Sequence, residues 1–378
     1  MTSEDQTSGG GFRRFKVVAK TPESRTISSF LLEPLDPGAW RPFAPGQFLV
    51  FKIPVADERD HVIRNYSISS APARTGTYRI TVKKETASSP EFPHGVGSGH
   101  LHDTIAVGDI VLAQGPRGEF VLDRESSRAV VLLSGGVGLT PLVSMLHHLA
   151  TETERKVYFI HACDSGDVHA LEAEARDASA LRPGITTRII YRFPTATDRA
   201  GARHHHEGVI TRDLLQQILP LDDYDVYMCG PPPFMKAVYP ALRSLGVPKA
   251  RIAYEFFGPA TVLDADAPSE TISAAPEPAP EARRPGAVAA DAANEITVTF
   301  KRSGKQVIWT GHARSLLEFA EDQGLDPPFS CRSGVCSTCS TRLLEGKITY
   351  TDEPLDEPEP GHVLICCAKP DGPVVLDI

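Results

Sequence analysis

The sequence has no run of apolar residues long enough to cross a membrane, and its opening stretch, Met1 to Gly11, is polar with no apolar signal core. A cytoplasmic protein is therefore expected. An excess of positive charge is also missing: 39 Lys and Arg stand against 48 Asp and Glu, a net charge of −9, which argues against a nucleic-acid partner. Cysteine is scarce outside one region. Most of the seven cysteines cluster near the C-terminus, which in a reducing compartment reads as thiolate ligands and not as a disulfide framework. What remains is an ordinary globular composition, 41% apolar and 23% charged, and 378 residues are enough for two or three domains.

Cys331, Cys336, Cys339 and either Cys366 or Cys367 follow the C-x4-C-x2-C…C spacing that holds a plant-type [2Fe–2S] cluster. The loop from Phe329 to Ser340 is built from small residues, so backbone N–H groups can approach bridging sulfides, and Gly334 lets the chain fold tightly around iron. Zinc ligands usually come as two-residue-spaced pairs on both sides, and only Cys336/Cys339 has that spacing here. The cysteines thus predict an electron carrier.

Between Val262 and Asn294 the chain turns to Pro/Ala/Glu text without apolar periodicity, as expected of a flexible linker tethering the cysteine-rich part. After it, Ile296–Phe300 and Gln306–Trp309 read as a hairpin. Ser315-Leu-Leu-Glu318 reads as a capping box opening a helix that ends near Gly324, followed by the cluster loop and a strand. In front lie short strand-like runs with almost no helical periodicity between them: Phe15–Lys20, Thr26–Glu33, Gln47–Ile53, Val62–Ser69, Tyr78–Lys84, Asp109–Ala113 and Glu119–Leu122. These predict an antiparallel β-barrel. From Ala129 the text alternates. The strands Ala129–Leu133, Val157–His161, Thr186–Tyr191, Asp225–Cys229 and Ile252–Phe257, separated by helical segments such as Pro141–Ala150, predict an α/β domain with a parallel sheet. The organisation expected is a disordered N-terminus (1–11), a barrel (12–124), an α/β domain (125–261), a linker (262–294) and a cluster domain (295–378).

Ser134-Gly-Gly-Val-Gly-Leu-Thr-Pro141 joins a buried strand to a helix with proline in its first turn. Its glycines let backbone N–H groups reach a pyrophosphate, and the helix N-terminus favours negative charge. Cys229 and Gly230 end another strand at the same sheet edge, where ligands of open α/β folds bind; a lone cysteine is also commonly a small buried apolar residue. Arg64-Asn-Tyr-Ser67 pairs a planar cation with an aromatic ring and a hydroxyl. Strand alternation puts Arg64 and Tyr66 on one face and Ser67 on the other.

Arg64-Asn-Tyr-Ser67, Gly95-Val-Gly-Ser98 followed by Leu101-His-Asp103, Gly135-Gly-Val-Gly-Leu-Thr-Pro141, Cys229-Gly-Pro-Pro and Tyr254-Glu-Phe-Phe-Gly-Pro259 occur in the order of the ferredoxin-NADP reductase-like flavoproteins, which the chain resembles from about Phe12 to Pro259. The texture is similar to the reductase part of flavohaemoglobins. The last 85 residues resemble a plant-type ferredoxin, an α+β β-grasp domain, an order found in reductase components of Rieske-type oxygenases. The resemblance implies that Arg64 and Ser98 contact flavin phosphate, that Tyr66, with Asn65 beside it, stacks on the flavin, and that Ser67 hydrogen-bonds near its reactive nitrogen. It implies that Gly135, Gly136, Gly138 and Thr140 receive the nicotinamide cofactor, with Cys229 and Gly230 near its ring and Glu255 and Phe257 completing the pocket. Ser67, Cys229 and Glu255 become the catalytic candidates. Phe48 is either a flavin neighbour or a barrel-core residue.

By the same resemblance the flavin is FAD, with FMN the alternative, the reductant is NADH, and the acceptor is a separate protein, an oxygenase component or another metalloenzyme. A redox-responsive binding module is the alternative from another class. In the ferredoxin pattern the fourth ligand is followed by three residues and proline, which selects Cys366; neighbours on an extended chain then point Cys367 the other way. Residues 294–378 carry thirteen acidic and eight basic side chains, a balance suited to a basic partner surface. His204-His-His206 is expected to be a solvent-exposed loop, since three adjacent histidines do not readily face one ion.

After Val157–His161, near where the adenosine ribose is expected, Asp164 can accept from a ribose 2′-hydroxyl but repels a 2′-phosphate, and the segment 162–167 has no arginine. NADH is predicted to be preferred. Steady-state kcat/KM for NADPH equal to or above that for NADH would contradict this.

Overall fold

The computed structural model describes residues 12–35, 40–54, 61–85, 96–257, 296–329, 334, 338–351, 354 and 358–378. The expected disordered terminus and linker lie outside these residues, as do Cys331 and Cys336. The chain divides into two units, Met1–Thr261 with Pro328–Cys331 and Val262–Pro327 with Arg332–Ile378.

The first unit begins with strands β1 (Arg13–Pro22), β2 (Ile27–Pro34), β3 (Phe48–Pro54), β4 (His61–Ser67) and β5 (Tyr78–Lys83), helix α1 (Val96–Asp103) and strand β6 (Ile110–Arg117). They form an antiparallel sheet in the order β4-β3-β6-β1-β2-β5, and the bridge Ile68–Ile80 joins its two edges into a barrel. Alternation drives this packing. Tyr78, Ile80 and Val82 point inward with Phe15, Val17, Phe30, Leu32, Leu49 and Phe51. Between them Thr81 is buried as well, its hydroxyl bonded to those of Ser29 and Ser69 at 2.8 Å each.

Two expectations for the barrel need correction. Glu119–Leu122 is not a strand: β6 runs on to Arg117, Gly118 turns the chain at φ +107°, and Phe120 and Leu122 pack into the core of the following α/β domain. Helix α1 lies in a stretch with little helical periodicity, because Gly97, Gly99 and two histidines dilute it. Tertiary contacts stabilise it. Leu101 enters the barrel core, and Lys20 Nζ donates to the carbonyls of Leu101, His102 and Ile105 at 3.2, 2.7 and 2.7 Å, satisfying the helix C-terminus.

The unit continues through β7 (Ala129–Gly135), α2 (Leu139–Glu152), β8 (Val157–Cys163), α3 (Glu172–Ala180), β9 (Ile185–Tyr191), α4 (Ala196–Ala200), β10 (His206–Glu207), α5 (Arg212–Ile218), β11 (Tyr224–Gly230), α6 (Pro232–Ser244) and β12 (Ile252–Phe256). Every pairing in the sheet β10-β9-β8-β7-β11-β12 is parallel. Residues 130–133 of β7 are wholly buried, as befits a central strand covered on both faces. His206 lies in β10, and His204 stacks on Tyr191 at 5.3 Å and 25°, so the histidine tract is not the fully exposed loop expected. Its alternating residues become part of a sheet edge.

The second unit contains β13 (Thr297–Phe300), β14 (Lys305–Ile308), α7 (Leu316–Asp322), β15 (Ser340–Glu345), β16 (Ile348–Tyr350), β17 (His362–Leu364), β18 (Ala368–Pro370) and β19 (Val374–Leu376). The mixed sheet β14-β13-β19-β15-β17 carries a parallel β13–β19 pair, β16 pairs with β18, and α7 buries Leu316, Leu317, Phe319 and Ala320. Five strands follow the cluster loop where one was expected; four of them are only three residues long and separated by loops. Ser315 Oγ accepts from the Glu318 N–H at 3.2 Å, and the Glu318 carboxylate accepts from Arg314 N–H and not from Ser315, so the capping box is shifted by one residue. Among the described residues no helix is long and apolar enough to cross a membrane.

Within the first unit, Arg79 of β5 grips Glu174 of α3 through two hydrogen bonds of 2.5 and 2.7 Å, and His147 of α2 bonds the same carboxylate. Burial pushes the Glu174 carboxyl up, but the His147 and Arg79 hydrogen bonds outweigh it and hold it at about 2, against the usual 4.5. A lowered folded-state pKa gives stability that is present above about pH 4.5 and lost as pH falls towards 2. Glu174→Gln is therefore expected to destabilise the unit by on the order of 1–3 kcal/mol at pH 7, with the gap to wild type closing as pH is lowered to 3. Thermal unfolding of both proteins at the two pH values checks this; a gap of equal size at pH 3 contradicts it.

Candidate functional site

Sequence neighbours β7 and β8 run to one side of the α/β sheet, whereas β11 and β12 lie on the other side of β7. The crevice between the carboxyl ends of β7 and β11 is thus the topological switch point where such sheets bind ligands. Cys229 pairs in register with Ser134 on one side and Glu255 on the other. The strands close tightly at this end. A Cβ on Gly138 would lie 2.3 Å from the Cys229 carbonyl oxygen, and one on Gly230 would lie 3.2 Å from Gly135 Cα.

Two helices start here, α2 after Gly138 and α6 after Pro231, and neither has a side-chain cap on its first N–H groups. Gly136 sits between them at φ +54° with open space beyond its Cα. Backbone donors, positive helix ends and a glycine floor together fit a dinucleotide pyrophosphate. The Thr140 hydroxyl, in the first turn of α2, donates back to the Val137 carbonyl at 3.1 Å and stiffens the loop. Phe257 is half-buried, its N–H donating to the Gly230 carbonyl at 3.2 Å. Burial, with the Glu255 charge second, pushes the Cys229 thiol well up. It is a neutral, compact group and not a thiolate nucleophile.

In the barrel, β4 is an edge strand and places Arg64 outward, Tyr66 half-buried and Ser67 buried, in keeping with the expected alternation. Asn65 lies opposite Val50 on β3. Tyr66 meets Phe51 edge-on at 5.4 Å and 72°, and burial, ahead of the opposing charge of Arg64, raises its phenol above the usual range. The N-terminal turn of α1 abuts this strand. A Cβ on Gly97 would lie 2.9 Å from Arg64 Cγ and 3.5 Å from the Tyr66 hydroxyl. The aliphatic stem of Arg64 passes this helix turn while its guanidinium donates to the Ile63 carbonyl at 2.7 Å, leaving an exposed cation on the same edge that suits a phosphate. The Ser98 hydroxyl, in the same turn, accepts from Glu85 N–H at 3.1 Å. Phe48 is buried against Gly118, one residue along β3 from the inward-pointing Leu49 and so on the opposite face of the strand.

Asp164, at the end of β8, pairs with Arg192 at 2.8 Å. The segment 162–167 holds no arginine; Arg192 comes from the end of the next strand, β9, and the parallel register of β8 and β9 brings it to Asp164.

In the second unit, Cys339, Cys366 and Cys367 are described and all buried. Cys366 and Cys367 lie in a turn between β17 and β18, Cys367 N–H donating to the Leu364 carbonyl at 3.2 Å, so the expectation of an extended segment is corrected. Their sulfurs nonetheless have different surroundings. Cys366 Sγ accepts the Gly334 N–H at 3.3 Å, whereas the Cys367 thiol donates to the Leu364 carbonyl at 3.5 Å. Gly334 has φ +73°, and a Cβ there would come within 2.9 Å of Cys367 Sγ, so glycine is required. A backbone donor aimed at one sulfur suits a thiolate that ligates a cluster.

Comparison with known proteins assigns these parts. Residues 14–122 match the oxidoreductase FAD-binding domain family, 132–239 the oxidoreductase NAD-binding domain family and 299–371 the 2Fe-2S iron-sulfur cluster binding domain family. Over 249 residues the chain is 44% identical to the flavohemoprotein of Bordetella pertussis, covering 66% of this chain and 61% of that protein. Over 260 residues it is 40% identical to the flavohemoprotein of Rhizobium meliloti, covering 68% and 63%. The chain therefore spans about three-fifths of the length of the curated relatives it matches. Among solved structures, the FAD/NAD binding domain of a nitric oxide dioxygenase from Vibrio cholerae is 38% identical, covers 65% of this chain and 99% of that one, and superposes with a TM-score of 0.58. Phthalate dioxygenase reductase, 24% identical, shares the fold over 97% of this chain and 98% of its own, with a TM-score of 0.59.

The close approach of Gly138 to Cys229 generates a direct test. Gly138→Ala is expected to raise KM for the nicotinamide cofactor at least about tenfold and to destabilise the protein by about 1–3 kcal/mol. An unchanged KM and thermal midpoint would contradict the geometry.

Proposed function

We propose a function for this chain, which belongs to the ferredoxin-NADP reductase-like flavoprotein oxidoreductases and carries an FAD-binding, an NAD-binding and a 2Fe-2S domain in that order: it oxidises NADH and delivers the electrons singly to a separate acceptor protein. Bound in these domains, a flavin would supply two-electron hydride chemistry and a [2Fe–2S] cluster one-electron transfer, so that an electron pair could be split. The observation that carries this reading is the switch point, where Gly135, Gly136 and Gly138 form a backbone shelf flanked by two uncapped helix N-termini.

In this reading the shelf and Thr140 hold the dinucleotide, with Gly230 permitting its approach. Cys229 and Glu255, adjacent across β11 and β12, flank the nicotinamide ring, Phe257 closes the pocket, and the neutral Cys229 thiol serves as a compact packing contact. Arg64, Ser98 and the α1 N-terminus hold the flavin phosphate, Asn65 and Tyr66 orient the ring system, and Ser67 offers a hydroxyl near the accepting nitrogen. Asp164 neutralises Arg192, which would otherwise welcome a 2′-phosphate, and so favours NADH. Cys331, Cys336, Cys339 and Cys366 are the cluster ligands, and the Gly334 N–H stabilises the thiolate of Cys366.

The acceptor we favour is the oxygenase component of a two-component system, because the full domain order is that of phthalate dioxygenase reductase. A haem protein is the second reading, favoured by the 44% identity of the front part to a flavohemoprotein. Reduction assays with each acceptor class separate the two.

Cys366→Ala is predicted to lose the cluster's visible absorbance and paramagnetic signal and, with them, cytochrome c reduction, while NADH-dependent ferricyanide reduction survives. Cys367→Ala is predicted to keep the cluster. The reverse pattern would make Cys367 the ligand, and loss of ferricyanide reduction in wild type would overturn the proposed function.

A further inference from the structure

At the carboxyl end of β8, one ring nitrogen each of His161 and His169 and the sulfur of Cys163 all lie within 4.8 Å of one another. Neither imidazole reaches solvent to any extent: His161 is 0% and His169 3% exposed, and their rings lie 4.6 Å apart. Each ring has one nitrogen engaged. His161 Nδ1 is 2.8 Å from Ser134 Oγ, and His169 Nδ1 is 2.8 Å from the Tyr191 hydroxyl. Both Nε2 atoms are buried without a hydrogen-bond partner. Leaving one such atom unpaired carries a desolvation penalty, and two side by side are unusual unless something accepts their lone pairs.

A cation resolves the arrangement. If Nε2 of each ring ligates, each Nδ1–H donates to a hydroxyl oxygen, the outer-shell bond that fixes a metal-bound histidine's tautomer and orientation. Cys163, the last residue of β8, supplies a third donor; its thiol makes only a long 3.5 Å contact with the Ser165 carbonyl. The nearby carboxylates are already engaged: Arg203 pairs with both Glu172 and Asp198. Metal–nitrogen and metal–sulfur bonds of about 2.0 and 2.3 Å place ligand atoms roughly 3.3–3.8 Å apart. Closing the cluster thus needs side-chain shifts of at most about 1 Å by that arithmetic.

We propose that His161, Cys163 and His169 bind one d10 metal ion, Zn2+ or Cu+, in the α/β domain. Two imidazoles and a thiolate are borderline-soft donors that suit these ions and not Mg2+ or Ca2+. Binding releases one proton, from the Cys163 thiol, to solvent. The site lies beneath the dinucleotide shelf, because Ser134, which orients His161, immediately precedes Gly135.

The test uses the full-length holoprotein, incubated anaerobically with Zn2+ or with Cu+, desalted, and assayed for metal, iron and flavin. Wild type is expected to retain one ion per chain beyond its iron. Cys163→Ala and His169→Gln should retain at least about tenfold less with iron and flavin unchanged, and His206→Gln should retain it fully. X-ray absorption at the zinc edge of wild type should show one sulfur and two histidine nitrogens, and this holds the test open if a variant fails to fold. Retention of neither ion, equal retention in Cys163→Ala and His169→Gln, or a zinc shell lacking sulfur or made of several sulfurs would overturn the proposal.

Discussion

The approach of β7 to β11 at their carboxyl ends is the constraint on which the front unit depends. The Gly138 Cα lies so near the Cys229 carbonyl that no side chain fits, and the same contact sets Ser134, Cys229 and Glu255 side by side in register. Because the sheet is parallel, its order reverses at this place, and the amino ends of α2 and α6 converge on the gap. A ligand site therefore follows from topology before any side chain is considered. Small groups, the glycines of the β7–α2 turn and Gly230, line its backbone floor.

Cysteine shows how far environment decides chemistry in one chain. Cys229 is wholly buried beside a carboxylate, so its thiol keeps its proton. Cys163 is likewise pushed up to about 12, first by burial and then by Asp164. Cys366 receives a backbone N–H on its sulfur from Gly334, the arrangement that favours a thiolate, whereas the Cys367 thiol in the same turn turns to a carbonyl. Three thiols for which different roles are proposed, Cys229, Cys163 and Cys366, differ here through a few polar neighbours.

Most strand positions were legible because alternation and buried apolar runs survive in the sequence: Tyr78–Lys83 and Ala129–Gly135 differ from the reading by no more than two residues. The glycine-rich turn before α2 was legible for similar local reasons. What escaped depends on distant partners. Helix α1 is stabilised by Lys20 and the barrel core despite its two glycines, and Phe120 and Leu122 look like strand residues but fill another domain's core. Arg192 reaches Asp164 only through strand register, and the turn at Cys366 and Cys367 is set by the Leu364 carbonyl. Single-chain patterns do not carry such information.

The central claim is that electrons from NADH cross from the flavin to the iron–sulfur cluster within this chain. Anaerobic mixing of the loaded, full-length protein with one equivalent of NADH, followed by optical spectra and by electron paramagnetic resonance of frozen samples, tests it most directly. The account predicts rapid loss of flavin absorbance followed by the signal of a reduced [2Fe–2S] cluster. Full flavin bleaching with a cluster that stays oxidised, while dithionite reduces it readily, would contradict the account.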